Sequence, residues 1–198
     1  MKTYKQLVNN TLIRLREREV SSIDETSYSK LIGLFVHDAI ESIESAWQWS
    51  NLRETLDVTT QATVSLYSLT GTQDKSTILD VINDTNNCYM VYKTSAWFDN
   101  TYYNSTPASG TPKYYTFEGL DNVGDTRIKV YPIPDGVYNL KAKVVKRSPD
   151  ILADDDTVKV PFLPVQALAY AMALEERGED GGISSISAKT LADGYLSD

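Results

Sequence analysis

Few residues in this sequence could do acid–base or metal chemistry. It contains one histidine, His37, and one cysteine, Cys88. A general base needs its proton partner within hydrogen-bond reach, and His37 lies in a helical pattern with neither a second histidine nor a carboxylate pattern beside it, so it reads as a structural or surface residue. Cys88 has no second thiol with which to close a disulfide or join a zinc set. Asp154-Asp155-Asp156 could offer oxygens to a hard cation. Consecutive carboxylates alternate in direction and lack the spacing of a calcium loop, which favours an exposed turn. No G-x-S-x-G elbow, Walker loop or G-x-G-x-x-G is present. The reading is of no enzyme, with no catalytic residue, no metal ligand and no cofactor.

Two groups of residues suit recognition instead. Tyr89, Tyr92, Trp97, Phe98, Tyr102, Tyr103, Tyr114 and Tyr115 are interleaved with Ser, Thr, Asn and Pro. That composition fits a sandwich core with a tyrosine-rich loop, a protein interface, or a sugar platform. Lys141, Lys143, Lys146 and Arg147 form a basic row, the first two on one strand face, which fits a solvated face or a charged partner. The net charge of −8 opposes wrapping of phosphate backbones, which needs clustered Lys and Arg. Acidic walls would still suit a tunnel through which DNA slides.

The elements that position these groups run helix, helix, a long β-rich middle, then helix. Tyr4, Leu7, Val8, Leu12 and Leu15 give one face of a helix over about Tyr4–Glu17. Ser22-Ile23-Asp24-Glu25 has capping-box spacing and predicts the start of a second helix. Its apolar positions, from Tyr28 to Trp47, make a stripe wide enough to bury more than one side. From Leu52 the period changes to two. Strands are expected at Leu52–Val58, Thr63–Tyr67, Ile78–Ile82, Cys88–Lys93, Lys113–Phe117, Arg127–Tyr131, Asn139–Val145 and Val158–Val160, with a turn at Asp135-Gly136. The segment from Pro164 to Leu174 is apolar on every side and rich in alanine, as befits a helix buried all round, and Gly178 should end it. A last helix is expected over about Ile186–Leu196. The fold class is α+β: residues 1–50 and 161–198 form a helical bundle, and residues 51–160 an inserted antiparallel β-sheet or sandwich. No apolar span approaches the ~20 residues that cross a bilayer, and the N-terminus begins an amphipathic helix in place of a signal core, so the expectation is cytosolic assembly with no membrane.

Trp47-Gln48-Trp49, the strand beginning at Leu52, Gly110-Thr111-Pro112-Lys113-Tyr114-Tyr115, Ile128-Lys129-Val130-Tyr131-Pro132-Ile133-Pro134 and the closing helix from Pro164 to Gly182 occur in an order that resembles the head-to-tail adaptor proteins of short-tailed bacteriophages, of the tail tubular protein A, or gatekeeper, type. The resemblance runs from the first helix to about Tyr195. It implies a structural virion protein, assembled in the host cytoplasm, that forms a twelvefold ring between the portal and the tail nozzle. Double-stranded DNA would pass through that ring without specific binding.

Carried over by position, the helical segments would be portal-side and the β segment tail-side. Trp47, Trp49, Ala167, Ala169, Tyr170, Ala171, Leu174 and Tyr195 become the expected contacts between subunits and with the portal, and Trp97, Phe98, Tyr102 and Tyr103 the expected tail-side contacts. In that family the C-terminal segment reaches into the portal, and a tail longer than the residues after Gly182 is expected for that role. A reading from another class is a glycan- or receptor-binding β module of a phage tail or cell-surface protein.

Overall fold

A computed structural model describes residues 1–72, 76–148, 153–178 and 183–197. Among the described residues, five α-helices and two four-stranded sheets make the fold α+β. The chain divides into two compact units, one of Met1–Leu52 with Arg147–Asp198 and one of Arg53–Lys146.

In the first unit, α1 (Tyr4–Arg14) begins with a capping box between Thr3 and Gln6. Its other free amides are met from far along the chain: Tyr4 N–H donates to the Asp156 carbonyl (2.9 Å) and Lys5 N–H to that of Asp154 (3.1 Å). A helix start leaves four such donors, and the Asp154–Asp156 turn meets two of those of α1. The next helix, α2 (Ser27–Ala46), starts later than Ser22 predicts. Ser22 caps a 3-10 turn, Ile23–Glu25, while Glu25 turns back to accept from Ser21 N–H at 2.7 Å. Thr26 then caps α2 in a box with Ser29. With Glu25 held by Ser21, Ser22 lacks its box partner, and the helix start falls to Thr26.

Along α2 the buried residues Ser29, Ile32, Gly33, Val36, Ala39, Ile40, Ile43 and Glu44 recur at three and four, while Leu34 faces solvent. Gly33 carries a direct bond between α1 and α2. Its carbonyl accepts from the Tyr4 hydroxyl at 2.7 Å, and a Cβ there would lie 3.0 Å from Ile23 Cγ2. Both α4 (Phe162–Arg177) and α5 (Ile183–Ser197) pack in this unit, α4 touching α1, α2 and α5. Gly178 ends α4 at φ +64, a left-handed position that glycine takes without a Cβ penalty. Arg177, in the last turn of α4, joins three elements: Nε donates to the Tyr28 hydroxyl (2.7 Å), Nη1 to the Leu15 carbonyl (3.2 Å) and Nη2 to Glu17 Oε1 (2.6 Å). Residues 158–160 form no strand; Val158 and Val160 are buried in this unit, and Thr157 makes an isolated bridge to Thr3.

The second unit is a small sandwich. One sheet orders β1 (Arg53–Thr59), β8 (Asn139–Lys146), β3 (Ser76–Asn83) and β4 (Cys88–Tyr89), all antiparallel. The other orders β2 (Leu66–Ser68), β7 (Thr126–Tyr131), β6 (Tyr114–Leu120) and β5 (Val91–Tyr92), with β5 parallel to β6. The single strand expected at Cys88–Lys93 is two. Met90 is buried, and there the chain leaves one sheet for the other. Val81, Leu140, Ala142 and Val144 from the first sheet meet Tyr115, Ile128 and Val130 from the second in one core. Sidedness follows from the period of two: Tyr114, Thr116, Lys129 and Tyr131 point away from that core. The helix α3 (Ser95–Tyr103), capped by Thr94, packs on β6.

Candidate assembly surfaces

The structure separates the expected contacts of the helical unit into an inner and an outer set. Ala167, Ala169, Ala171 and Leu174 are buried, Ala169 to 0% exposure, and α1, α2 and α5 of the same chain supply their cover. The buried side of α4 is therefore covered within one chain, while Phe162 and Leu163 at its start are exposed and Leu168, Tyr170 and Met172 are partly so. Small side chains let the neighbouring backbones within the chain come near. Tyr170 is half-buried, with the Arg14 guanidinium 5.8 Å from its ring centroid. Trp49 is partly buried and its indole N–H donates to the Ile43 carbonyl at 2.7 Å.

Outside lie Trp47, 67% exposed, and Tyr195. Their company was not foreseen from sequence. On α5 the small residues Ser185 and Ala192 are buried, while Ile186 and Leu191 face solvent beside Tyr195. That inverts the usual amphipathic pattern, and the spacing of Ser185, Ala188 and Ala192 at three and four was the readable signal. Arg14, Ala167, Tyr170, Ala188 and Leu191 border an open cavity of about 360 Å³ on this unit.

In the β unit, Trp97, Phe98, Tyr102 and Tyr103 lie on α3 and are brought together with Tyr114 and Tyr131. Phe98 is 1% exposed, stacked on Tyr102 at 6.0 Å. Trp97 lies 5.2 Å from Tyr114 and 5.6 Å from Tyr131. The Tyr102 hydroxyl donates to the Val130 carbonyl at 2.8 Å, and burial raises its pKa above the usual value. These rings are the seam between α3 and the sheet. Tyr103 alone of the four is widely exposed, at 77%. Cations line the same seam: Lys129 Nζ sits 4.6 Å from the Tyr102 centroid and 3.3 Å from Glu118 Oε2, and Lys93 sits 5.5 Å from that of Tyr114.

The residues that could do chemistry are otherwise engaged or isolated. Asp154 Oδ1 accepts from Ile23 N–H and Asp156 Oδ2 from Ala153 N–H. His37 is 4.0 Å from Asp38, its immediate neighbour. Among the described residues no group of three or more His, Cys, Asp or Glu side chains could hold a metal ion. The basic row on β8 is interleaved with acid: Lys141 Nζ lies 2.9 Å from Asp84 Oδ2, which raises its pKa, and Lys143 pairs in register with Asp80. No described helix is long and apolar enough to cross a membrane.

Side chains engaged in packing, exposed apolar residues on α5 and a sandwich bearing an aromatic helix suit a structural protein that works through its surfaces. A family model described as SU10 adaptor protein matches residues 2–196, and the chain belongs to the SU10 adaptor protein family. It is a structural adaptor component of a bacteriophage virion. A search of curated proteins gave no match.

Proposed function

We propose that this adaptor assembles as a twelvefold ring that joins the portal to the tail nozzle and continues the DNA channel. The observation that carries the reading is the family match over residues 2–196, which takes in both units. The helical unit then faces the portal and neighbouring subunits, through Trp47, Trp49, Tyr170 and Tyr195 together with the exposed Ile186 and Leu191 of α5. Ala167, Ala169, Ala171 and Leu174 hold α4 beneath that surface. The β unit faces the nozzle, with Tyr103 outermost and Trp97, Phe98 and Tyr102 fixing the helix that bears it. Net charge of −8 suits a channel wall, because like charge keeps DNA from adhering.

Light scattering of the purified chain, alone and mixed with a purified portal ring, tests the proposal. A mass rise equal to a full ring of subunits on each portal supports it. A chain that stays unbound in excess portal, or that binds as single copies, overturns it.

A further inference from the structure

The β unit ends its sheets on β1 and β4 in one and on β2 and β5 in the other. An edge strand offers a row of free backbone donors and acceptors, and proteins ordinarily shorten, bulge or cover it. Here β4 and β5 are two residues long and β2 three. Where β6 runs on past β5, its pairing is broken by an irregularity between Phe117 and Leu120, with Gly119 at φ +71. The strand β1 is different. It runs seven residues, Arg53–Thr59, without glycine or proline, and pairs with β8 with no break in register.

The phase of that pairing shows which groups are free. Thr60 N–H donates to the Tyr138 carbonyl, while on the other side of β8 Asp84 N–H donates to that of Asn139. Backbone groups alternate in direction along a strand, so Glu54, Leu56 and Val58 bond to β8. The N–H and C=O groups of Arg53, Thr55, Asp57 and Thr59 point outward, and among the described residues no backbone group pairs with them. The side chains of these four residues are exposed as well.

The charges on β1 indicate what completes it. With a second copy of β1 lying antiparallel and Thr55 opposite its own counterpart, Arg53 of each copy lies opposite Asp57 of the other, on one exposed face. Opposite charges in directly facing positions stabilise a strand pair, and outward backbone groups then meet outward backbone groups. Centring the pair on Arg53 or on Asp57 sets like charges together, and centring it on Leu56 leaves both charges facing threonine. Glu54 is exposed and keeps its carboxylate in solvent.

We propose that the free chain pairs with a second copy of itself by joining β1 to β1 about a two-fold axis at Thr55, so that the two sheets become one. Such a contact uses the same strand in both copies, whereas a closed ring joins unlike patches. It is therefore a form of the free chain and not the contact that builds a ring, and either can fail without the other.

Sedimentation velocity of the full chain in about 150 mM salt, where repulsion between the two net charges is screened, tests the proposal. From about 10 to about 500 µM the parent should pass from monomer to dimer, with a Kd on the order of tens of micromolar as befits a small contact. Arg53→Asp sets Asp against Asp and Asp57→Arg sets Arg against Arg, so each variant alone should pair roughly tenfold more weakly. Mixed one to one, the two variants place opposite charges at both positions, and the mixture should pair about as the parent does. Thr55→Pro removes an outward N–H and none that bonds to β8, so it should weaken pairing by more than about tenfold while circular dichroism still shows a cooperative melt. Should that variant fail to fold, the mixing experiment decides the matter alone. A parent that stays monomeric over this range overturns the proposal. So do single-charge variants that pair as the parent does, a folded Thr55→Pro protein that does the same, or a mixture that associates no more than its components.

Discussion

Tyr4→Phe tests whether α1 and α2 are joined as described, because it changes one hydroxyl and little else. The Tyr4 ring is buried, and its hydroxyl donates to the Gly33 carbonyl at 2.7 Å. Losing one such bond costs about 1 kcal/mol, since the carbonyl keeps its place in the α2 ladder and is not left bare. The pH dependence is the sharper part. Burial first, then the charges of Asp38 and Asp154, push this phenol from 10.0 up to about 12. An acid whose folded pKa lies above its unfolded value contributes stability that is complete below the unfolded pKa and is lost as pH rises through the folded one. The window is therefore pH 10 to 12. At about 1.4 kcal/mol per unit the parent loses roughly 2.7 kcal/mol there, and the variant loses none of it. Tyr67, Tyr102 and Tyr115 also have pKa values raised by burial, but they are common to both proteins and cancel in the comparison. Urea unfolding followed by circular dichroism at 222 nm should find the variant less stable at pH 8, equal near pH ~11 and more stable above it. Parallel stability curves for the two proteins across this range would refute the reasoning.

Arg177→Ala should destabilise the helical unit by about 2 kcal/mol, summed from its contact with the Tyr28 ring and its bonds to Tyr28 and Leu15, with the solvent-screened Glu17 pair taken at the low end. Arg177→Lys should recover less than half of that by the same urea assay, and a neutral alanine variant would contradict the clamp. Gly178→Ala forces a Cβ into a left-handed position and should cost about 1 kcal/mol, with Gly178→Asn costing less; equal melting of all three proteins would count against it. Ala169→Trp places an indole at a fully enclosed position and should lower the stability of the isolated chain by several kcal/mol, read as a drop in melting temperature. Leu191→Asp and Tyr195→Asp, on the exposed face of α5, should leave that melting temperature nearly unchanged while reducing capture by a portal ring. A chain that tolerates Ala169→Trp but melts early with Leu191→Asp would reverse the inner and outer sets.

Legibility in the sequence followed the strength of each local pattern. The stripe of α2, the strands β1, β3, β7 and β8 and the glycine stop at Gly178 all carry a clear period or cap, and each forms where that pattern puts it. The helix α3 was hidden because its inward residues, Trp97, Phe98, Thr101 and Tyr102, are aromatic or polar and sit among Ser, Asn and Thr; what makes them a face is the outer side of β6 and β7, which no local window contains. The break at Met90 was hidden for the same reason, since an extended run looks alike whether it stays in one sheet or crosses to another. The all-round apolar character of α4 was plain, but what encloses it was not. Periodicity states how much of a helix is covered, and only the packing of α1, α2 and α5 shows that one chain provides the cover.

The central claim is that this adaptor forms a ring on the portal with its helical unit against it. Electron cryomicroscopy of portal rings incubated with the chain tests that most directly. The account predicts a second ring of density beneath each portal, with the helices of the first unit at the junction and the β sandwich pointing away. Bare portal rings with the chain left free, or a ring attached through the β unit, would contradict it.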